Sequence, residues 1–189
     1  MDDTRHRILD KALRAFAARG YDAVGVQEIC SEAGITKPSL YHHFGNKLGL
    51  LDAIACEKYV PFVDSFAERS RYRGDLAFSL VSGMETFLEA GRTDPDFARL
   101  RVSLSFAPRQ SEQHRAMRAP AERLFEHARR IFVAAARDHG NMRGRDLPYA
   151  ASFLGTADAY VNLLLSGDLD PDEEFVRRVV HHFMHGLFS

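Results

Sequence analysis

Along most of this chain apolar residues return every three or four positions, and strict alternation is almost absent. That spacing is the mark of amphipathic helices, and no Asn-Gly or Asp-Gly turn separates alternating segments as a hairpin would require. The pattern predicts an all-α protein of about nine helices. The first starts at Thr4 as N-cap, carries Ile8, Leu9, Ala12, Leu13 and Phe16 on one stripe and stops at Gly20, which can take a left-handed conformation. A short second helix over 26–33 turns Val26, Ile29, Cys30 and Ala33 inward, Gly34-Ile35 makes a tight turn, and a third covers 37–44. Two short helices joined by a glycine turn outline a helix-turn-helix.

Beyond it the pattern gives a longer helix over 47–69 bent at Pro61, a polar loop through Gly74, and helices over 75–91, 95–106 and 112–139, the last kinked near Pro120. Asp94-Pro95 and Asp170-Pro171 read as an N-cap followed by a first-turn proline, and Asp146-Leu147-Pro148 as a further helix start. No flexible linker interrupts the chain, so the expected division is one of role: 1–46 as a reading head and 47–189 as a helical body.

Composition narrows the class. The 189 residues are 46% hydrophobic with 14 Phe and 6 Tyr, enough to build a core, which excludes a disordered or fibrous chain. The longest apolar run, Ile131 to Ala136, is far shorter than the ~20 residues of a membrane span, so no membrane partner is expected. The start, Met1-Asp2-Asp3-Thr4, lacks the pattern of a secretory signal, and a cytoplasmic address is expected. Cys30 and Cys56 fit no zinc or Cys-x-x-Cys spacing and read as small apolar residues. The net charge of -1 hides any global signature of nucleic-acid binding, so the partner must be read from local pattern.

That local pattern lies at Thr36-Lys37-Pro38-Ser39-Leu40-Tyr41-His42-His43-Phe44, inside a stretch without an acidic residue between Gly34 and Leu51. Leu40 and Phe44, four apart, anchor the short helix and leave donors and a planar aromatic on its other side. In a helix-turn-helix the second helix enters the major groove, with flanking groups on phosphates. The candidate DNA contacts are Gln27, Thr36, Lys37, Pro38, Ser39, Tyr41, His42 and Lys47: Tyr41 and Lys47 for phosphate, His42 for a base edge.

These residues bring the chain to a known family. From Ile8 to Ile54 it resembles the DNA-binding domain of the tetracycline-repressor (TetR) family. It matches on Ile8-Leu9-x-x-Ala12-x-x-x-Phe16, Gly20-Tyr21, Val26-x-x-Ile29, Ala33-Gly34-Ile35-Thr36, Leu40-Tyr41-x-His43-Phe44 and Asn46-Lys47-x-x-Leu50-Leu51. It departs at Gly25, where that family usually has a capping Ser or Thr, and at Cys30, where a small Ala is usual. The resemblance implies a three-helix head followed by a helical domain that binds a small effector and forms a homodimer, and therefore a ligand-controlled repressor.

The rest of the chain carries no motif of that kind. Under the resemblance, an apolar or aromatic effector would lie among Phe62, Phe66, Met84, Phe87, Phe106, Met117, Phe125, Phe153 and Tyr160, which otherwise read as ordinary core. The two last helices carry more apolar surface than one neighbour can cover, and Leu147, Ala151, Leu154, Val161, Val176, Val179, Val180, Phe183 and Leu187 are the expected dimer interface. A dimer presents two heads to a pseudo-palindromic operator on double-stranded DNA. His181, His182 and His185 include an i, i+4 pair but no identified third ligand, so no metal is expected. No nucleophile motif or glycine-rich phosphate loop appears, and neither enzymatic activity nor a cofactor is expected. The alternative is a DNA-localised helical adaptor whose body binds a protein.

Overall fold

A computed structural model of the protein describes residues 3–186. Among them every regular element is helical: α1 (Asp3–Arg19), α2 (Val26–Ala33), α3 (Lys37–Phe44), α4 (Lys47–Ile54), α5 (Val60–Arg69), α6 (Leu76–Thr93), α7 (Pro95–Leu104), α8 (Glu112–Asp138), α9 (Asp146–Ser166) and α10 (Glu173–His185). A π turn at Ala55–Tyr59 runs α4 into α5, and the described helices number nine when this run is counted once. Near Pro61, where a bend is expected, the helical ladder changes just upstream, at this π turn. Pro61 has no N–H to donate, and the ladder ahead of it widens, with the Val60 N–H reaching the Ala55 carbonyl. No described helix is long and apolar enough to cross a membrane.

The chain folds into two compact units, Met1–Pro61 with Asp94–Pro120 and Phe62–Thr93 with Ala121–Ser189. Compactness therefore divides the chain elsewhere than the boundary of role at residue 46. In the first unit α1 packs on α2, α4 and α7. Its stripe of Ile8, Leu9, Ala12, Leu13 and Phe16 is fully buried, as are Ile29, Leu40, Leu50, Leu51 and Ile54 facing it. Helices of eight residues are marginal alone; burial on α1 holds α2 and α4, and α3 packs on those two. Ion pairs tie the later segments into this unit: Arg5 with Glu57, Lys58 with Asp94 at 2.9 Å, and Arg14 with Asp96 at 3.7 Å.

In the second unit α6 packs on both α9 and α10. The rings of Phe62 and Phe66 stand edge-on to Phe87 at 5.0 and 5.6 Å. Phe153 meets Phe132 and Phe183 at 6.5 and 5.7 Å. Gly83 permits the close approach, since a Cβ there would lie 3.1 Å from the Phe66 ring and 3.2 Å from that of Phe153.

Several helix starts differ in detail from the expectation. Asp94 caps α7, accepting from the Phe97 N–H at 3.2 Å, and Asp75 accepts from Phe78 at 2.9 Å. The last helix is capped by Asp172, which accepts from Phe175 at 2.7 Å, and not by Asp170. The Pro171 carbonyl takes a hydrogen bond from Arg92, which fixes that residue outside the helix. Thr4 lies within α1, and Asp146 is the first residue of α9 and is held by Arg129 instead of capping. Cys30 is buried, but Cys56 is exposed, against the reading of both as apolar filling.

Candidate nucleic-acid interface

The recognition helix is short because it is bounded by glycines at both turns. Gly34, at φ 64°, ends α2 and donates to the Ser31 and Cys30 carbonyls, so the chain reverses within two residues and starts α3 after Thr36. Left-handed backbone of this kind favours glycine. Gly45, at φ 74°, closes α3 by donating to the Tyr41 carbonyl at 2.8 Å. Asn46 then caps α4, its Oδ1 accepting from the Gly49 N–H at 2.8 Å. Gly49 is the position that sequence reasoning passed over: a Cβ there would fall 1.9 Å from the Phe44 carbonyl oxygen. No side chain fits, so Gly49 sets how closely α4 follows α3. A glycine inside the first turn of a predicted helix was the signal for it.

Leu40 and Phe44 are buried, which turns the opposite side of α3 outward. Lys37, Pro38, Tyr41 and His42 are exposed there, Ser39 is half-buried, and the His42 and His43 rings lie 5.4 Å apart. Thr36 is exposed and its hydroxyl makes no capping bond to α3. Gln27, in the first turn of α2, is exposed too. Gly25 caps α2 without a side chain.

Three cations of α1, Arg5, Arg7 and Arg19, are engaged by other groups of the first unit. Arg5 pairs with Glu57 and lies over the Phe44 ring, 5.2 Å from its centroid, and its guanidinium holds the Glu57 carboxyl below the usual range. Arg7 Nε donates to the Ala33 carbonyl at 3.1 Å, satisfying the end of α2, and Arg19 pairs with Glu28. Lys47 is half-buried with its ammonium 4.2 Å from the Tyr21 ring centroid. Burial pushes its pKa down, and Asp22 and Glu112 oppose that shift. Positive charge around α3 therefore rests on Lys37 and the outward part of Lys47, set in a stretch without carboxylates.

The nine aromatic and Met residues expected around an effector are not gathered round one cleft. Phe62, Phe66, Met84, Phe87 and Phe153 interlock as buried core in the second unit. Met117 is buried in the first unit, and Phe106, in the turn after α7, is 88% exposed. Phe125 is half-buried on α8, and Tyr160 is half-buried against Phe175 at 5.6 Å. Three clefts of about 450, 440 and 360 Å³ in the second unit are lined by other residues.

The expected dimer stripe divides in the same way. Val161, Val176, Val179 and Val180 are buried within the protomer and cannot face a partner. α10 turns its valines to α6, and Phe183 is half-buried against Phe132 and Phe153. Leu147 and Ala151 are exposed and Leu154 is half-buried along α9, whereas Leu187 lies outside the described residues. The His181 and His185 rings are 4.6 Å apart, and no group of three or more His, Cys, Asp or Glu among the described residues is placed to hold a metal ion.

Residues 8–54 match the family model of bacterial regulatory proteins of the tetR family. Over 171 residues, 87% of this chain and 84% of the relative, the chain is 28% identical to the HTH-type transcriptional repressor AcnR of Corynebacterium efficiens. Its fold is similar to that of the transcriptional regulator FadR from Bacillus subtilis in complex with stearoyl-CoA. The TM-score is 0.79 at 19% identity, covering 96% of this chain and 98% of the other. AibR, in complex with isovaleryl coenzyme A and operator DNA, is similar with a TM-score of 0.76 at 21% identity, covering 98% of this chain and all of the other.

Proposed function

Because this chain belongs to the tetR family of bacterial regulatory proteins, we propose that it is a cytoplasmic homodimeric repressor whose hold on a pseudo-palindromic operator is released by a small effector. The observation that carries this reading is the outward side of α3: Lys37, Pro38, Tyr41 and His42 exposed together, backed by buried Leu40 and Phe44, with no carboxylate between Gly34 and Leu51. Lys37 and Ser39 reach base edges or phosphates, Tyr41 donates to phosphate, and His42 reads a base edge. Gln27 and Thr36 flank the same side. The repressor named among the relatives supports the direction of control, and the two thioesters held by structural neighbours support a small molecule as effector.

The dimer forms through the outward side of α9, with Leu147, Ala151 and Leu154, and brings two recognition helices to successive major grooves. The chain passes between its compact units at 61/62, 93/94 and 120/121, so an effector in the second unit acts on the first through these passages. Effector and operator then oppose each other reciprocally. The test is binding to sites selected from random DNA. Tyr41→Phe weakens binding to every sequence alike, whereas His42→Ala changes which base is preferred. If His42→Ala leaves the preference untouched, the base contact is wrongly assigned. If the protein selects no site at all, the repressor reading fails.

A further inference from the structure

Two clefts of the second unit lie on either side of shared wall residues where α8 ends and α9 begins. One, of about 360 Å³, lies against Leu76 and Leu80 of α6, Phe132 of α8 and Phe183 of α10. The other, of about 440 Å³, shares Phe132 and Met142 with the first. The shared floor is rigid, because the Phe132 ring is packed by Tyr149, Phe183 and Phe153 at 5.5, 6.3 and 6.5 Å. The first cleft is a slot with apolar walls, rimmed by the polar ends of His139 and Asn141.

The second cleft supplies charge. Arg137, in the last turn of α8, and Arg143, just after the turn at Gly140–Met142, both line it. Neither is paired with a carboxylate among the described residues. The one carboxylate in the lining, Asp146, is already committed: Arg129 donates to its Oδ2 from Nε at 2.9 Å and from Nη2 at 2.7 Å. An apolar slot that adjoins, across Phe132 and Met142, a cleft with two guanidinium groups is chemically complementary to a molecule with an apolar tail and an anionic head, since guanidinium binds carboxylate or phosphate through paired N–H donors.

We propose that the two adjoining clefts together bind an anionic amphiphile that crosses at Met142, its tail on Phe132 between Leu76, Leu80 and Phe183 and its head on Arg137 and Arg143. This names the chemical class of the effector and rests on the regulator reading above. The site differs from the residues expected from sequence, because the rings of Phe62, Phe66 and Phe87 fill their own space. Carboxylate and phosphate share the required head-group chemistry, and the experiment separates them.

The experiment is calorimetric titration of the full-length protein with decanoate, decyl phosphate and decanol, each below its micelle concentration. At least one of the two anions binds about tenfold more tightly than decanol, the effect of a charge-assisted bond; whichever it is names the head group. Arg137→Gln with Arg143→Gln, both at exposed positions, removes that preference and leaves decanol binding unchanged. Met142→Asp, in the surface turn, weakens all three. Decanol binding as tightly as the anions, an arginine variant that keeps the preference, or no binding of any probe would each overturn the proposal. Operator binding by the unliganded protein is measured alongside. A protein that holds its operator but no amphiphile loses this inference alone, and one that binds amphiphile but no DNA loses the repressor reading.

Discussion

The ammonium of Lys47 sits 4.2 Å from the centroid of the Tyr21 ring, and the hydroxyl of that ring donates to Glu112 Oε2 at 3.1 Å. A cation so placed serves the fold, and under the proposed function it also meets a phosphate. Lys47→Met keeps the stem and removes the charge. We expect weaker binding to all DNA sequences alike and a salt dependence reduced by about one unit of slope. We also expect a stability loss of about 0.5–1 kcal/mol from the cation–π contact. An unchanged slope in a salt titration assigns Lys47 to the fold alone.

The Tyr21 turn is gripped a second time from α8. Gln113, 7% exposed, donates from Nε2 to Asp22 Oδ2 at 2.7 Å. Gln113→Leu loses about 1.5–3 kcal/mol in urea unfolding, the range for a bond to a charged acceptor. In a chain already carrying Asp22→Ala the same change costs less, and that difference is the coupling.

Opposite outcomes are expected for two positions once grouped in one dimer stripe. Ala151→Arg, on the outward side of α9, gives a monomer by sedimentation and weakens operator binding at least tenfold, while helix content by circular dichroism stays unchanged. Val179→Ala, 6% exposed inside the protomer, costs about 1–3 kcal/mol of stability and leaves the oligomeric state alone. A dimer that survives Ala151→Arg moves the interface elsewhere.

Gly83→Val tests the packing of the second unit. The added branches meet the Phe66 and Phe153 rings at a point where a bare Cβ is already at 3.1 and 3.2 Å. Overpacking of this kind costs about 1–3 kcal/mol, read as a lower melting temperature.

His127 gives the chain a pH dependence. Burial, then the charges of Arg130 and Arg123, push its pKa below the ordinary 6.5. The unfolded chain therefore takes up a proton that the folded chain resists. The contribution to stability is full above about pH 6.5 and is lost as pH falls through the depressed folded value. Melting temperatures measured from pH 8 to 5 fall on the acid side, and His127→Gln flattens the fall. A slope unchanged in that variant places the titration elsewhere.

Local chemistry was legible wherever a residue acts within its own turn. Asp94 before Pro95, Gly34 at the turn after a short helix, and the α1 stripe all act over three or four positions, and the structure has them in those roles. Asp172 displaced Asp170 as the last cap because Arg92, far away in sequence, takes the Pro171 carbonyl. Likewise, only the fold brings Arg5, Arg7 and Arg19 to their partners Glu57, the Ala33 carbonyl and Glu28.

The sequence by itself determined the helices, the glycine turns around the recognition helix and the acid-free stretch that it presents. Helical period names the apolar side of an element but not its cover. Only the tertiary structure decided that the valines of α10 are buried while Leu147 and Ala151 of α9 stay outside. It alone decided that five of the nine expected effector residues interlock as core and that Phe132 lines a cleft shared with Arg137 and Arg143. The reason is physical: caps and turns are satisfied by neighbours in the chain, whereas burial is a competition among surfaces that meet only on folding.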